Sequence, residues 1–226
     1  AIMDLALAEH IAHHRASENE VTLVLREKSP GQPGSVWIDD NQALVGLRHH
    51  RRPDHDPSRM TEYEYTGVQI LDAAAIRRLS LAPGDIITEL HGPLLEEGGK
   101  IGGSILEGYW AALDNPSLIL ENTRQILENP SLFPQAPLPD ALAKGLFVYR
   151  PGTIDDSVKM KGPVLIGMNA SVGAGCRIGP NVILDGVELA PNTVVSNAVL
   201  YGMGKVEGEW TDCDAVAGKV AMKKDS

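Results

Sequence analysis

Cysteine is nearly absent from this sequence: Cys176 and Cys213 are the only two in 226 residues. That excludes a disulfide framework, and the pair has no metal-ligand spacing; a reducing, cytoplasmic setting fits. Aromatic residues make up 4%, so a chain that is 43% hydrophobic must build its core from aliphatic side chains. No apolar run approaches the length of a membrane span. The opening residues carry Asp4 and Glu9 and no basic cluster, which is not how a signal peptide reads. Positive charge is also short. A formal net charge of −10 argues against nucleic acid or an anionic membrane surface as a partner.

What the sequence does have is a period of six. Ile154, Met160, Ile166, Val172, Ile178 and Leu184 recur at every sixth position. Four residues after each of the first five comes a smaller or β-branched one: Val158, Val164, Ala170, Cys176 and Val182. Gly, Asn, Asp and Pro fill the places between. A helix needs apolar spacings of three and four, and a simple strand needs alternation. A fixed hexad instead predicts short strands that turn a corner and stack as a β-solenoid. The large residue should fill the interior, the small one should fit near the corner, and Gly and Asn should supply the positive-φ turns. After Leu184 the count slips by one, then resumes through Leu189 to Leu200. The expected solenoid spans 146–201, with two to three coils and Ile166, Val172 and Ile178 pointing inward. Residues 202–226 have no clear period and read as a tail.

The first half is different in kind. Residues 2–15, with Ile2, Met3, Leu5, Leu7 and Ile11, read as an amphipathic helix, with His10, His13 and His14 toward solvent. Val21 to Arg26 reads as a strand buried on both faces. Val36–Ile38 and Ala43–Arg48 flank Asp39-Asp40-Asn41 as a hairpin. Residues 49–60 are polar and read as an exposed loop; His49, His50 and His55 with Asp54 and Asp56 are weighed there as a metal cluster, but side chains in such a loop ordinarily face water. Tyr63 to Leu71 is a strand in which Gly67 marks a bulge or the close approach of a ligand. Asp72 and Asp85 can cap helices, Lys100 to Leu106 is a strand, and Pro116 opens a helix running to Asn129. Residues 130–145 are a Pro-rich linker. The order is a mixed α/β half at 1–129, the linker, then the solenoid.

That order, with particular residues, resembles the sugar-1-phosphate nucleotidyltransferase family, and most closely its mannose-1-phosphate guanylyltransferase type. There a Rossmann-like catalytic domain carries a C-terminal left-handed β-helix of hexapeptide repeats. The segments that carry the resemblance are His14-Arg15 followed by Val21-Thr22-Leu23-Val24-Leu25, the strand Tyr65-Thr66-Gly67-Val68-Gln69-Ile70-Leu71, and Gly108-Tyr109-Trp110-Ala111-Ala112-Leu113-Asp114-Asn115-Pro116. The resemblance implies an α/β fold: part of a Rossmann-like nucleotidyltransferase domain followed by a left-handed parallel β-helix. It implies the reaction NTP plus sugar 1-phosphate giving NDP-sugar plus pyrophosphate, with Mg²⁺ in the intact enzyme. It places Tyr65, Thr66, Gly67 and Trp110 on the sugar side; Arg51 and Arg52 are candidate phosphate binders by their own charge, or else a solvated basic patch.

The departures bear on chemistry. The family's Gly-Gly-x-Gly-Thr-Arg loop, its Pro-Lys and its first metal-binding Asp do not occur in these residues, so the nucleotide-binding third is expected to be missing from this chain. The family's Glu-Lys-Pro corresponds to Arg51-Arg52-Pro53, and the second metal-binding Asp to Ala112. No catalytic or metal-binding residue is therefore assigned. The expected partner is a sugar phosphate or nucleotide sugar, with self-association into a homo-oligomer, and the chain alone is expected to be inactive. The alternative is a non-catalytic regulatory or assembly subunit that binds a nucleotide sugar or oligomerises through the solenoid. A CoA-dependent acyltransferase of the hexapeptide type ordinarily places a catalytic His between coils, and no His follows His91.

Overall fold

The computed structural model describes residues 1–29, 31, 34–80, 82–134, 141–143, 145–149, 153–216 and 219–222. The chain divides into two compact units, one of residues 5–109 and one of residues 1–4 with 110–226. The chain opens on β1 (Ile2–Met3), which belongs to the second unit. The first unit then runs α1 (Leu7–Ala16), β2 (Val21–Glu27), β3 (Val36–Ile38), β4 (Leu44–Leu47), β5 (His50–Arg51), β6 (Thr61–Leu71), α2 (Ala73–Ile76), α3 (Gly92–Glu96) and β7 (Ile101–Ile105). A π-helical turn, Ile87–His91, leads directly into α3.

These strands form one sheet in the order β5-β4-β3-β6-β2-β7. Only β2 and β7 are parallel. That pair, with α1 against it, is the Rossmann-like part, and the antiparallel strands extend it. Every residue from Val21 to Leu25 is buried because both faces of β2 are covered. Val21, Leu23 and Leu25 join Ile87, Leu90, Leu94 and Leu95 in one aliphatic core. Thr22 and Val24 alternate to the opposite face. The sheet curls, so that the turn after β3 closes onto β7: Gly103 N donates to the Gln42 carbonyl at 2.8 Å, and Ala43 bridges Gly102.

The N-terminal segment differs from the amphipathic helix expected over 2–15. Ile2 and Met3 pair as a strand with Ala111 and Trp110. The helix starts at Leu7, which is 48% exposed, and the residues it buries are His10 and His14. The physical reason lies in what the helix covers. Thr22 and Ser104 present hydroxyls there, and an imidazole satisfies a buried hydroxyl where a leucine would leave it bare. His50 corrects the exposed-loop reading of 49–60 in the same way, since it forms β5 and is buried.

The second unit contains β8 (Trp110–Ala111), α4 (Pro116–Glu128), β9 (Ala141–Ala143), β10 (Leu146–Val148), β11 (Lys159–Met160), β12 (Val164–Ile166), β13 (Ser171–Val172), β14 (Arg177–Ile178), β15 (Val182–Leu189), β16 (Val194–Val206), β17 (Glu209–Val216) and β18 (Lys219–Met222). Asn115 caps α4, its side-chain oxygen accepting from Leu118 N at 3.0 Å, and Pro116 stands in the first turn. The helix buries Leu120, Ile126 and Leu127 and packs against β16. Of the stretch 130–145, Pro130–Leu132 is a 3-10 turn; residues 135–140 and 144 lie outside the described residues.

The hexads build a parallel β-solenoid. Leu146 pairs with Val164, and Val164 with Val182, a step of three hexads. The predicted interior residues Ile166, Val172 and Ile178 share one buried core with Ala170, Cys176 and Leu184. The stack continues past 201. Val182 pairs with Ala198 and Ala198 with Cys213, so β17 adds a rung where the sequence showed no period. Those last steps are shorter than three hexads, which erases the count while Val206 and Cys213 still point inward. Antiparallel strands flank the parallel stack, β9 on β10 and β18 on β17.

Corners are turned as the composition implies. Asn169, Asn181, Asn192 and Asn197 all have positive φ. Asn181 Nδ2 donates to Asn197 Oδ1 at 2.7 Å, and Asn197 Nδ2 donates to Asp212, so three corners are laddered together. This architecture fits the expected left-handed hexapeptide-repeat helix. Among the described residues, no helix is long and apolar enough to cross a membrane.

Candidate functional site

The strand expected to lie beside a sugar is β6, and it carries a bulge. Leu23 of β2 is opposite Gln69 and Leu25 is opposite Tyr65, so Thr66, Gly67 and Val68 answer a single residue, Val24. Gly67 has φ +91°, is exposed, and an added Cβ would meet nothing within 4 Å. Glycine is thus required by the backbone and not by crowding. Thr66 is 4% exposed; its hydroxyl donates to the Val24 carbonyl at 2.8 Å and accepts from Val68 N at 3.2 Å. Tyr65 donates to Gln69 Oε1 at 3.1 Å, and burial pushes its phenol up to about 12, so it stays protonated. The bulge therefore presents Gly67 main chain outward, held from behind by Thr66.

Arg51 and Arg52 have guanidinium groups already engaged. Arg51 Nη1 donates to the carbonyls of Arg48 and His50 at 2.6 and 2.7 Å, and its guanidinium lies over Trp37, 4.2 Å from the ring centre. Arg52 donates from Nε to Leu44 O, from Nη1 to Gly98 O and from Nη2 to Gly99 O, at 3.1, 3.3 and 2.6 Å. It ties β4 to the end of α3. A cavity of about 160 Å³ beside it is lined by Asp39, Asp40, Asp54, His55 and Asp56. Hydrogen bonds from Ser58 hold the Asp56 carboxyl below its usual range. An anion entering there would face more carboxylates than cations.

The five sequence-nominated residues of the first unit are not gathered at one point. Tyr65, Thr66 and Gly67 share β6. Two strands, β3 and β4, separate β6 from β5, which at the usual strand spacing is about 14 Å along the sheet. Trp110 belongs to the other unit, on β8, where it pairs with Met3.

The structure also shows a histidine network that the sequence reading placed in solvent. His10 Nδ1 lies 2.7 Å from Ser104 Oγ, and His14 Nδ1 lies 2.8 Å from Thr22 Oγ1. His13 Nε2 donates to the Gly103 carbonyl at 3.1 Å. Burial lowers the pKa of His10, Glu9 opposing and His13 adding to the shift. His10 and His14 are four apart, one helical turn, so they share a face of α1, but the sequence does not say what that face meets.

No family model matches the chain. Curated proteins do. It is 27% identical over 202 residues to a probable mannose-1-phosphate guanylyltransferase 2 of Arabidopsis thaliana, covering 86% of this chain and 50% of that protein. It is 24% identical over 193 residues to a glucose-1-phosphate thymidylyltransferase of Streptomyces antibioticus, covering 82% and 54%. It is 27% identical over 208 residues to the low-salt glycan biosynthesis nucleotidyltransferase Agl11 of Haloferax volcanii, covering 79% and 52%. Its curated relatives are sugar-1-phosphate nucleotidyltransferases. The chain spans about half the length of the nucleotidyltransferases it matches.

The Mg²⁺ implied by the resemblance to nucleotidyltransferases does not fit the described residues. The position that the resemblance sets against a metal-binding Asp is Ala112, whose carbonyl accepts from Asn122 Nδ2 at 2.8 Å. Asp114 is exposed two residues on. Among the described residues, no three His, Cys, Asp or Glu side chains come together as a metal site. One isolated carboxylate is too few ligands to localise a hard divalent cation.

Proposed function

We propose that this chain is a sugar-phosphate nucleotidyltransferase homologue that binds a sugar phosphate or nucleotide sugar along the β6 bulge and does not by itself transfer a nucleotidyl group. The observation that carries the binding reading is the outward main chain of Gly67, fixed by the buried Thr66 hydroxyl, in a chain whose relatives are nucleotidyltransferases. A bulge without a side chain lets a sugar ring approach backbone donors and acceptors closely.

The negative half is electrostatic. Attack by a sugar phosphate on a nucleoside triphosphate brings several negative charges within a few ångströms of one another, and fixed donors and cations must offset them. Arg51 and Arg52 already donate to main-chain carbonyls, and Ala112 offers no carboxylate. The experiment is a pyrophosphate-release assay on the purified chain with Mg²⁺, the common nucleoside triphosphates and a panel of sugar 1-phosphates, alongside calorimetric titration with nucleotide sugars. Binding without release is expected. Turnover on the order of 1 per second would overturn the negative half, and absence of any binding would overturn the positive half.

The same proposal includes self-association through the solenoid, where Met168 and Tyr201 are 63% and 52% exposed. Sedimentation at tens of micromolar is expected to show a species larger than the monomer; a clean monomer contradicts it. A cytoplasmic setting is proposed with it, resting on two buried free thiols, Cys176 and Cys213.

A further inference from the structure

Two buried histidines, His50 and His91, stand at the junction where β5 packs against α3. His91 ends the π-helical turn and is fully buried, and neither of its ring nitrogens has a hydrogen-bond partner among the described residues. His50, on β5, lies against the very next residue. Its Cε1 is 2.5 Å from where a Cβ on Gly92 would stand, so only glycine leaves room for the ring. His50 Nδ1 is 2.7 Å from Glu96 Oε1 on α3, and its Nε2 is buried without a partner.

The other charged groups about this junction are few. On the turn's own segment, Asp85 pairs with Arg48 at 3.2 Å, and Glu89 folds back against Gly84. On α3 and just after it stand Glu96, which faces His50, and Glu97, which pairs with Arg78 at 2.7 Å. On β5, the His49 ring lies 4.0 Å from His50 and the Arg51 guanidinium lies on Trp37. Past the end of α3, the carbonyls of Gly98 and Gly99 hold Arg52.

We propose that this junction is an acid-sensitive latch: the neutral imidazole of His91 lets residues 87–99 close over the β4–β5 hairpin, and its protonation lifts that segment and releases Arg52 from Gly98 and Gly99. An imidazolium brings a second N–H and a full charge into a place where neither ring nitrogen has an acceptor, which a packed interior opposes strongly. Asp85 favours the charge, but Arg48 already pairs with that carboxylate. His50 differs, because Glu96 stands ready to accept from its Nδ1.

The sign follows from burial, which lowers His91 from 6.5 to about 4. Above 6.5 both open and closed forms are neutral and the latch stays shut. Between 6.5 and about 4 the open form binds a proton that the closed form refuses, so opening grows by about tenfold per pH unit. Below about 4 both forms bind it and the effect levels off. The inference is independent of the nucleotidyltransferase reading.

Hydrogen exchange on the whole chain, corrected for intrinsic rates, tests it at pH 7 and pH 5. Residues 87–99 and the β4–β5 hairpin are expected to lose protection at pH 5 while the solenoid does not, and His91→Leu is expected to hold them protected. Equal loss in His91→Leu, or loss spread over the solenoid, overturns the proposal. Should that variant fail to fold, NMR titration of the imidazoles in the unaltered chain decides. His91 is expected to titrate well below the ordinary histidine value; titration at or above 6.5 overturns the latch. His50→Gln is expected to keep the acid response, and its loss there would move the switch from His91 to His50 and overturn the assignment.

Discussion

Thr66 donates its hydroxyl across 2.8 Å to the main-chain carbonyl of Val24, the residue that the β6 bulge faces. One side chain thereby joins the irregular part of β6 to the neighbouring strand β2 and fixes which way Gly67 turns.

Thr66→Val is nearly isosteric and removes the hydroxyl. The Val24 carbonyl and the Val68 amide each lose a partner, one of them buried, so a loss of about 1–3 kcal/mol is expected in urea unfolding. Thr66→Ser keeps the bond and should lose less than Thr66→Val. Equal losses for the two would show that the methyl group, not the hydroxyl, carries the contact.

Gly67→Ala tests strain without crowding. An added Cβ meets nothing within 4 Å, so its effect is the cost of φ +91° alone, about 1–2 kcal/mol. Urea midpoints at constant m-value measure it. An unchanged midpoint would mean that the bulge can relax to a negative φ.

Much of this fold was legible because some residues answer to a rule. The hexads of 154–184 fixed the interior of the solenoid, and Gly67 inside a strand pattern marked the bulge. The rest was hidden where tertiary partners decide. Nothing in residues 2–16 announces that Met3 pairs with Trp110, or that the face of α1 carrying His10 meets Ser104, ninety-four residues away. The added rung at Cys213 shows no period in the sequence because shorter coils abolish the count without altering the inward alternation. The site was the least legible part. Arg51 and Arg52 look like anion binders in sequence, and only the structure shows which carbonyls they hold.

His10 predicts an acid limb in the stability of the first unit. Its folded pKa is lowered by burial, so the unfolded chain takes up a proton near 6.5 that the folded chain resists. Its contribution is complete above that value and is lost as pH falls below it. His10→Gln retains a polar partner for Ser104 and does not titrate. Urea unfolding at pH 7.5 and 5.5 should show a smaller difference for the variant than for the unaltered chain. An identical difference would place the acid sensitivity elsewhere.

Val172 tests the solenoid. It lies 2% exposed inside the stack, where Val172→Asp would leave a carboxylate without a partner. A loss of several kcal/mol and insolubility are expected on expression. A soluble variant of unchanged thermal midpoint would contradict the inward placement.

The most direct measurement of the binding claim is an amide NMR titration of the chain with nucleotide sugars and with sugar 1-phosphates alone. Saturable shifts centred on Tyr65, Thr66, Gly67 and Val68 are predicted, with the amides of the solenoid interior unmoved. Saturable binding that leaves those four amides unperturbed would contradict the assignment of the β6 bulge as the sugar-side surface.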